Sequence, residues 1–273
     1  NIFMKKVSII AAVVIVVAVV AYVWVSKKSE TGKKEVETEK VDPNAFRQDQ
    51  IEAIVMAELD SIANIWASRP AVVNAFKDGE FKFSEQELKV KPDYLLSPDV
   101  VNNLNLMSQK YRAIGMLAID MTVADNYKMD TEAYKAAIKK LVIDVNDPAI
   151  KLGVDVDEEY IRNVFNKEKE NNRINYFWEV CAAINVENLY VVSKNIDKLL
   201  TAFDDKAAEN FTWHIVMLTI ALENLAEYDA DIRALVANLA PLKSLDAINV
   251  AQFKEQLESI APQVEAIRNS LLK

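Results

Sequence analysis

Residues Val7 to Val25 read VSIIAAVVIVVAVVAYVWV, without a charge or a proline. At 1.5 Å per residue such a run spans about 30 Å as a helix, which matches the hydrocarbon thickness of a bilayer. A segment this apolar that enters lipid must satisfy its own backbone hydrogen bonds, and a helix does so within itself. Tyr22 and Trp24 stand near its C-terminal end, where amphipathic rings settle at the interface, and lysines flank it at Lys5, Lys6, Lys27 and Lys28. The expectation is a transmembrane helix over 7–25 preceded by a short basic tail, 1–6. A cleaved secretion signal is the rival reading. It fits less well, because the apolar run exceeds the roughly 7–15 residues of a signal core and its end, Tyr-Val-Trp-Val-Ser, lacks an A-x-A site. No cysteine lies near it to accept a lipid. Asn-Ile-Phe reads as an upstream remnant, with Met4 as the natural start.

Charge divides the chain. Residues 1–34 hold six lysines and one glutamate, a balance of +5; the whole chain is −9, so the rest carries −14. A domain that negative repels nucleic acid and anionic headgroups, both of which need cationic contacts, so no nucleic-acid partner is expected. Ser26 to Asp42 is charged and lacks apolar periodicity, as a flexible tether would.

From Pro43 to Lys273 a helical period dominates, and only four glycines and seven prolines punctuate the whole chain. The reading is an all-α, irregular bundle of about seven amphipathic helices following the membrane anchor. A first helix starts near Pro43 with Ile51, Ile54, Val55, Leu59, Ile62 and Trp66 on one face, and breaks at Ser68-Arg69-Pro70. Ser84 and Glu87 have capping-box spacing. Ser97-Pro98-Asp99 opens a long helix carrying Val100, Leu104, Met107, Tyr111, Ile114, Ala118 and Met121. Asp130 caps the next, and Asp155 or Asp157 the one after. Helices are then expected over about 172–203, 206–227, 230–240 (stopped at Pro241) and 250–272. No fixed-period consensus links them, so a repeat protein is not expected.

Little chemistry is visible. His214 is the only histidine, the Glu-x-x-His step of di-iron bundles is absent because position 211 is Phe, and no zinc spacing occurs. His214 therefore reads as a structural, partly buried side chain. Asp155-Val-Asp157-Glu-Glu159 is acidic but lacks the glycine and third ligand of a calcium loop; helix capping accounts for it. Cys181 sits among Val180, Ala182 and Ala183 with no base to activate it, and reads as a small core side chain. No phosphate loop, nucleophile elbow or dinucleotide fingerprint is present. No catalytic residue, cofactor or metal is expected.

Asp120 is the exception to this quiet picture. It lies in Gly115-Met-Leu-Ala-Ile-Asp120-Met121, where a carboxylate must either find a buried donor or line a cavity with a raised pKa. Arg112 or a tyrosine from another helix is the expected partner. Gly115, unfavourable in a helix interior, suits a close helix approach. If a ligand pocket exists, Asp120, Tyr111 and Trp178 are its candidate residues, with Tyr127 and Phe177 nearby in kind.

The residues Tyr111-x-x-x-Gly115-x-x-x-x-Asp120, then Ala137-x-Lys139-Lys140-Leu141, and later Trp178 with Leu189-Tyr190, resemble uncharacterised helical envelope proteins of bacteria. Many of those are lipid-anchored and of similar length. Here the lipid-accepting cysteine is missing and an apolar helix stands in its place. The resemblance implies fold and compartment and no site residues: a helical protein of the bacterial envelope. The single apolar span places the chain in the inner membrane, and a short basic tail ahead of a long acidic domain puts that domain in the periplasm, although Lys27, Lys28, Lys33 and Lys34 oppose that orientation by the positive-inside rule. The layout of anchor, tether and bundle then points first to a non-enzymatic module acting through a protein partner. A small-molecule-binding bundle with a pocket near Asp120 comes second, and an enzyme third.

Overall fold

Two helices that are buried nearly all round set the architecture, because the other helices must surround them. They are α2 (Met107–Asn126) and α5 (Ile174–Lys194), each buried over most of its length. The computed structural model describes residues 47–68, 83–151, 158–199 and 204–273, and every regular element among them is helical. The anchor over 7–25 and the tether over 26–42 lie outside the described residues, as do Arg69-Pro70, Asp155 and Asp157. No helix among the described residues is long and apolar enough to cross a membrane.

Around the central pair stand α1 (Ala53–Ser68), α3 (Glu132–Val145), α4 (Glu158–Glu170), the one-turn α6 (Ile196–Leu199), α7 (Asp205–Leu225), α8 (Ala230–Leu239) and α9 (Val250–Ser270). α5 touches α2, α4, α7 and α9; α3 covers α2, and α1 bridges α4 and α7. α2 and α5 run in the same direction. Gly115 makes this closeness feasible: a Cβ there would lie 3.0 Å from Ile184 Cγ1 and 3.2 Å from the Val180 carbonyl oxygen. The expected close approach at Gly115 is what the structure shows.

Several local signals act as their chemistry dictates. Ser84 and Glu87 exchange backbone-to-side-chain bonds of 2.7 and 3.3 Å in a reciprocal cap. Asp229 accepts from the Asp231 and Ile232 N–H groups to start α8, and Asn249 accepts from Gln252 to start α9. Asn146 and Asn172 close α3 and α4 at φ 46° and 58°, a left-handed conformation that asparagine tolerates.

Two helix starts differ from expectation. α1 begins at Ala53, after a 3-10 turn at Gln48–Gln50, and Ile54 faces solvent at 75% exposure while Leu59, Ile62 and Trp66 are buried. Ser97 does cap a turn, accepting from the Asp99 N–H at 3.3 Å, but that turn is a 3-10 segment, Pro98–Asn103. The chain then extends and α2 begins afresh at Met107, where the Gln109 side chain accepts from the Asn105 and Leu106 N–H groups. The asparagines at 102, 103 and 105 compete for backbone bonds and favour such a break. The long segment from 172 likewise divides at Asn195, whose side chain bonds back to the Val191 carbonyl at 2.9 Å.

Candidate functional site

Burying a charged side chain in an apolar helix pair demands a partner, and α2 and α5 solve this twice at the same spacing. Arg112 and Asp120 on α2 stand opposite Glu179 and Glu187 on α5. Arg112 makes a two-pronged bond with Glu179 and donates to the Leu271 carbonyl at 3.2 Å. Arg112 is thus committed to Glu179 and is not the partner of Asp120, which corrects one sequence expectation.

Asp120 is fully buried and accepts from the Leu96 N–H at 2.7 Å. Its cation is Arg268, on α9, at 3.6 Å; Arg268 also grips Glu187 at 3.1 Å and donates to the Tyr94 carbonyl. Burial raises Asp120 well above the usual carboxyl range, and the charge of Glu187, with a hydrogen bond to it, raises it further. Burial raises Glu187 too, while Arg268 and the bond from Asp120 hold it down. Asp120 therefore keeps the proton and donates it to Glu187, and the triad is neutral overall. It clamps α2, α5, α9 and the 94–96 segment together.

A second cluster of acids lies at the α3–α4–α5 end. Tyr111 donates to Asp147, which also accepts from the Ala149 N–H at 2.8 Å. Arg173 donates to the Tyr111 oxygen at 3.1 Å and to the Val145 carbonyl at 2.9 Å, and lies 3.7 Å from Asp147. Behind Asp147 sits Glu168, only 1% exposed. Burial, then a hydrogen bond to Asp147 and the charge there, push the Glu168 carboxyl up to about 10. At neutral pH it is a carboxylic acid donating to Asp147, and its Oε2 meets no N–H or O–H of the protein.

Glu168 is the one charged-type residue on the wall of an apolar cavity of about 70 Å³. Trp66, Ile114, Phe177, Cys181 and Ile184 form its buried interior, and half-buried Ile150, Tyr160, Val164 and Val180 stand at its rim. The walls come from α1, α2, α4 and α5, so the cavity lies beside the Gly115 approach. Cys181, expected as a small core residue, is buried and forms part of the wall; burial raises its thiol and leaves it un-ionised.

Of the three residues proposed for a pocket, none lines this cavity, yet two stand directly behind it. Tyr111 reaches Glu168 through Asp147. Trp178 packs edge-on against Trp66 and Phe177, with ring centroids 5.9 and 5.0 Å apart. Asp120 belongs to the Arg268 triad instead. Tyr127 caps the far end of α2, its ring 4.2 Å from Phe83, whereas Phe177 is in the wall. His214 is buried with its ring 4.3 Å from Trp66, a structural position. Among the described residues no group of three or more His, Cys, Asp or Glu side chains is placed to hold a metal ion.

Glu168 escaped the sequence reading because Asn166-Lys-Glu-Lys-Glu-Asn looks solvated. Its position, one and two turns beyond Phe165 and Ile161 on the same face of α4, is the signal that marks it as buried. Glu179 and Glu187 carried the signal that exposed Asp120, a lone charge among apolar neighbours.

No family model, no curated protein and no solved structure matches the chain.

Proposed function

We propose that this chain is a non-catalytic helical module, held at a membrane by residues 7–25, that binds a small apolar molecule between α1, α2, α4 and α5. One observation carries the reading: a well-packed all-helical core contains an apolar cavity whose wall holds a single buried carboxylic acid. Packing alone does not ask for that arrangement. Protein interiors close such spaces, and an un-ionised acid at neutral pH costs stability, so the combination belongs to binding sites. The charge separation along the chain and the uncharged stretch Val7–Val25 support the tethered, envelope location.

Cys181 supplies the test. The full chain in mild detergent is treated with methyl methanethiosulfonate, and mixed-disulfide formation at Cys181 is followed by mass spectrometry with and without 1-chloropropane. Occupancy by the probe slows the reaction in proportion to its concentration. A rate indifferent to the probe contradicts binding in this cavity. Retention of the chain by membranes through an alkaline carbonate wash tests the anchor; release of the intact chain contradicts it.

A partner protein, the first expectation from the layout, becomes the second reading. The strongly acidic composition of residues 35–273 favours a cationic partner surface. Among the described residues Val90, Leu106, Ile143 and Ile248 are exposed singly on different segments, while Ile54 and Ile65 share α1.

A further inference from the structure

The surface that faces the cavity is hydrocarbon, aromatic ring and sulfur throughout. Trp66 and Glu168 belong to the wall, but their polar atoms are turned away from the space: the indole N–H is covered, and the Glu168 carboxyl bonds to Asp147. Nothing inside answers a hydroxyl, an amide or a charge, so a guest carrying one there would lose its water without replacement. Buried Ile114, Cys181 and Ile184 close the interior, whereas Ile150, Tyr160 and Val164 at the rim are half-buried and still apolar.

Size narrows the choice. The space is about 70 Å³, against the ~150 Å³ of an apolar cavity that takes benzene, so a six-membered ring is too large and about three carbons of a chain fit. Ile114, Ile161, Val164 and Ile184 are β-branched and stiff at χ1, which keeps the wall from widening around a bulkier guest. A free three-carbon molecule would use the interior alone. The apolar rim gives further carbons of a chain a surface to cover, and each buried methylene strengthens binding about four-fold.

We propose that the cavity receives the methyl end of an unbranched alkyl chain, with about three carbons inside, the next few lying across Ile150, Tyr160 and Val164, and the polar head in water. This rests on the ligand-binding reading above and names its ligand class: an aliphatic chain, and neither a ring nor a molecule with a polar group at the entering end.

The test follows protection of Cys181 from methyl methanethiosulfonate in the full chain, held in digitonin, whose fused rings are too wide to enter. The probes are 1-propanol, 1-pentanol, 1-heptanol, 1,7-heptanediol and cyclohexylmethanol, each compared at its free concentration. Protection should strengthen about four-fold per methylene from 1-propanol to 1-heptanol. 1,7-Heptanediol should protect about ten-fold less well than 1-heptanol, since either end would bury an unpaired hydroxyl. Cyclohexylmethanol, with the same number of carbons, should fall short by about as much, because its ring stops at the rim. A gain that ends at 1-propanol assigns a free short molecule and overturns the chain end. Protection by the diol or the ring equal to that by 1-heptanol overturns the selection for an unbranched methyl terminus. Both of these results leave the cavity reading standing, whereas absence of protection by every probe, 1-chloropropane included, contradicts that reading as well. A last arm separates the sources of such a chain: in phosphatidylcholine vesicles without added probe, Cys181 is protected if the bilayer supplies the chain end and reactive if a soluble amphiphile does.

Discussion

Replacing Glu168 by glutamine should make the protein more stable, and increasingly so as the pH rises. Glu168 has a carboxyl pushed up to about 10 by burial and by Asp147, against 4.5 for the ordinary group. The groups facing it are Asp147, Tyr111 and Arg173, so the proton it holds lies between two acids with one cation behind them. A carboxyl whose folded value is raised gives its full stability only below the unfolded value. That stability is lost as pH climbs from about 4.5 toward about 10, because the folded protein must keep a proton that the unfolded chain releases. The slope is about 1.4 kcal/mol per pH unit, so wild type loses roughly 4 kcal/mol from this residue between pH 5 and pH 8. Glutamine donates its amide N–H to Asp147 in place of the acid proton and does not titrate. The variant should therefore match wild type to within about 1 kcal/mol near pH 5 and gain on it by ~4 kcal/mol at pH 8. At roughly 2–4 °C per kcal/mol this is a rise in Tm of about 8–16 °C at pH 8 relative to wild type. Thermal melts followed by far-ultraviolet circular dichroism at several pH values provide the assay. A difference between variant and wild type that stays flat from pH 5 to pH 8 refutes the reasoning, since it would show Glu168 ionising like an exposed acid.

Other consequences follow from the same packing. Arg268→Met removes the cation from a triad whose acids are fully buried, which should lower stability by about 3–5 kcal/mol at pH 7 in urea titration. The deficit should shrink toward pH 4.5, where Glu187 can take a proton, and Glu187→Gln in the same chain should recover most of it. Gly115→Ala places a methyl 3.0 Å from Ile184 Cγ1 and 3.2 Å from a backbone oxygen that cannot step aside. Overpacking of about 1–3 kcal/mol outweighs the ~1 kcal/mol that alanine contributes to helix propensity. Because Ile184 and Val180 are also cavity walls, the variant should weaken 1-chloropropane protection of Cys181 as well. Asp229→Ala unties the first turn of α8 and strands the buried Asn175 amide that donates to Asp229 at 2.9 Å, lowering stability by about 2 kcal/mol.

How far the sequence reveals this molecule depends on which signals are local. Helical periodicity alone places Leu59, Ile62 and Trp66 on a buried face, because a one-sided helix announces its core side every three or four residues. Its failures are equally physical. The break before Met107 arises from Gln109 and from Asn105, whose side chain donates to the Asn103 carbonyl, a competition that an apolar stripe through Val100 and Leu104 conceals. Asp120 stood out as a charge in an apolar run, and its burial was legible. Its partner was not, since Arg268 arrives from the last helix and no local rule pairs positions 120 and 268. Glu168 shows the converse. Its neighbours Lys167 and Lys169 make the stretch look solvated, and only the helical arc through Ile161 and Phe165 reveals where it points. The cavity itself depends on four helices meeting, so it exists nowhere in the one-dimensional pattern.

Crystals of the full chain held under xenon pressure address the cavity most directly. Xenon is apolar and settles in apolar cavities. One well-occupied xenon is expected, enclosed by Trp66, Ile114, Phe177, Cys181 and Ile184, and lost in an Ile184→Phe variant that fills the space. A xenon-free interior in which those five side chains close on one another would contradict it.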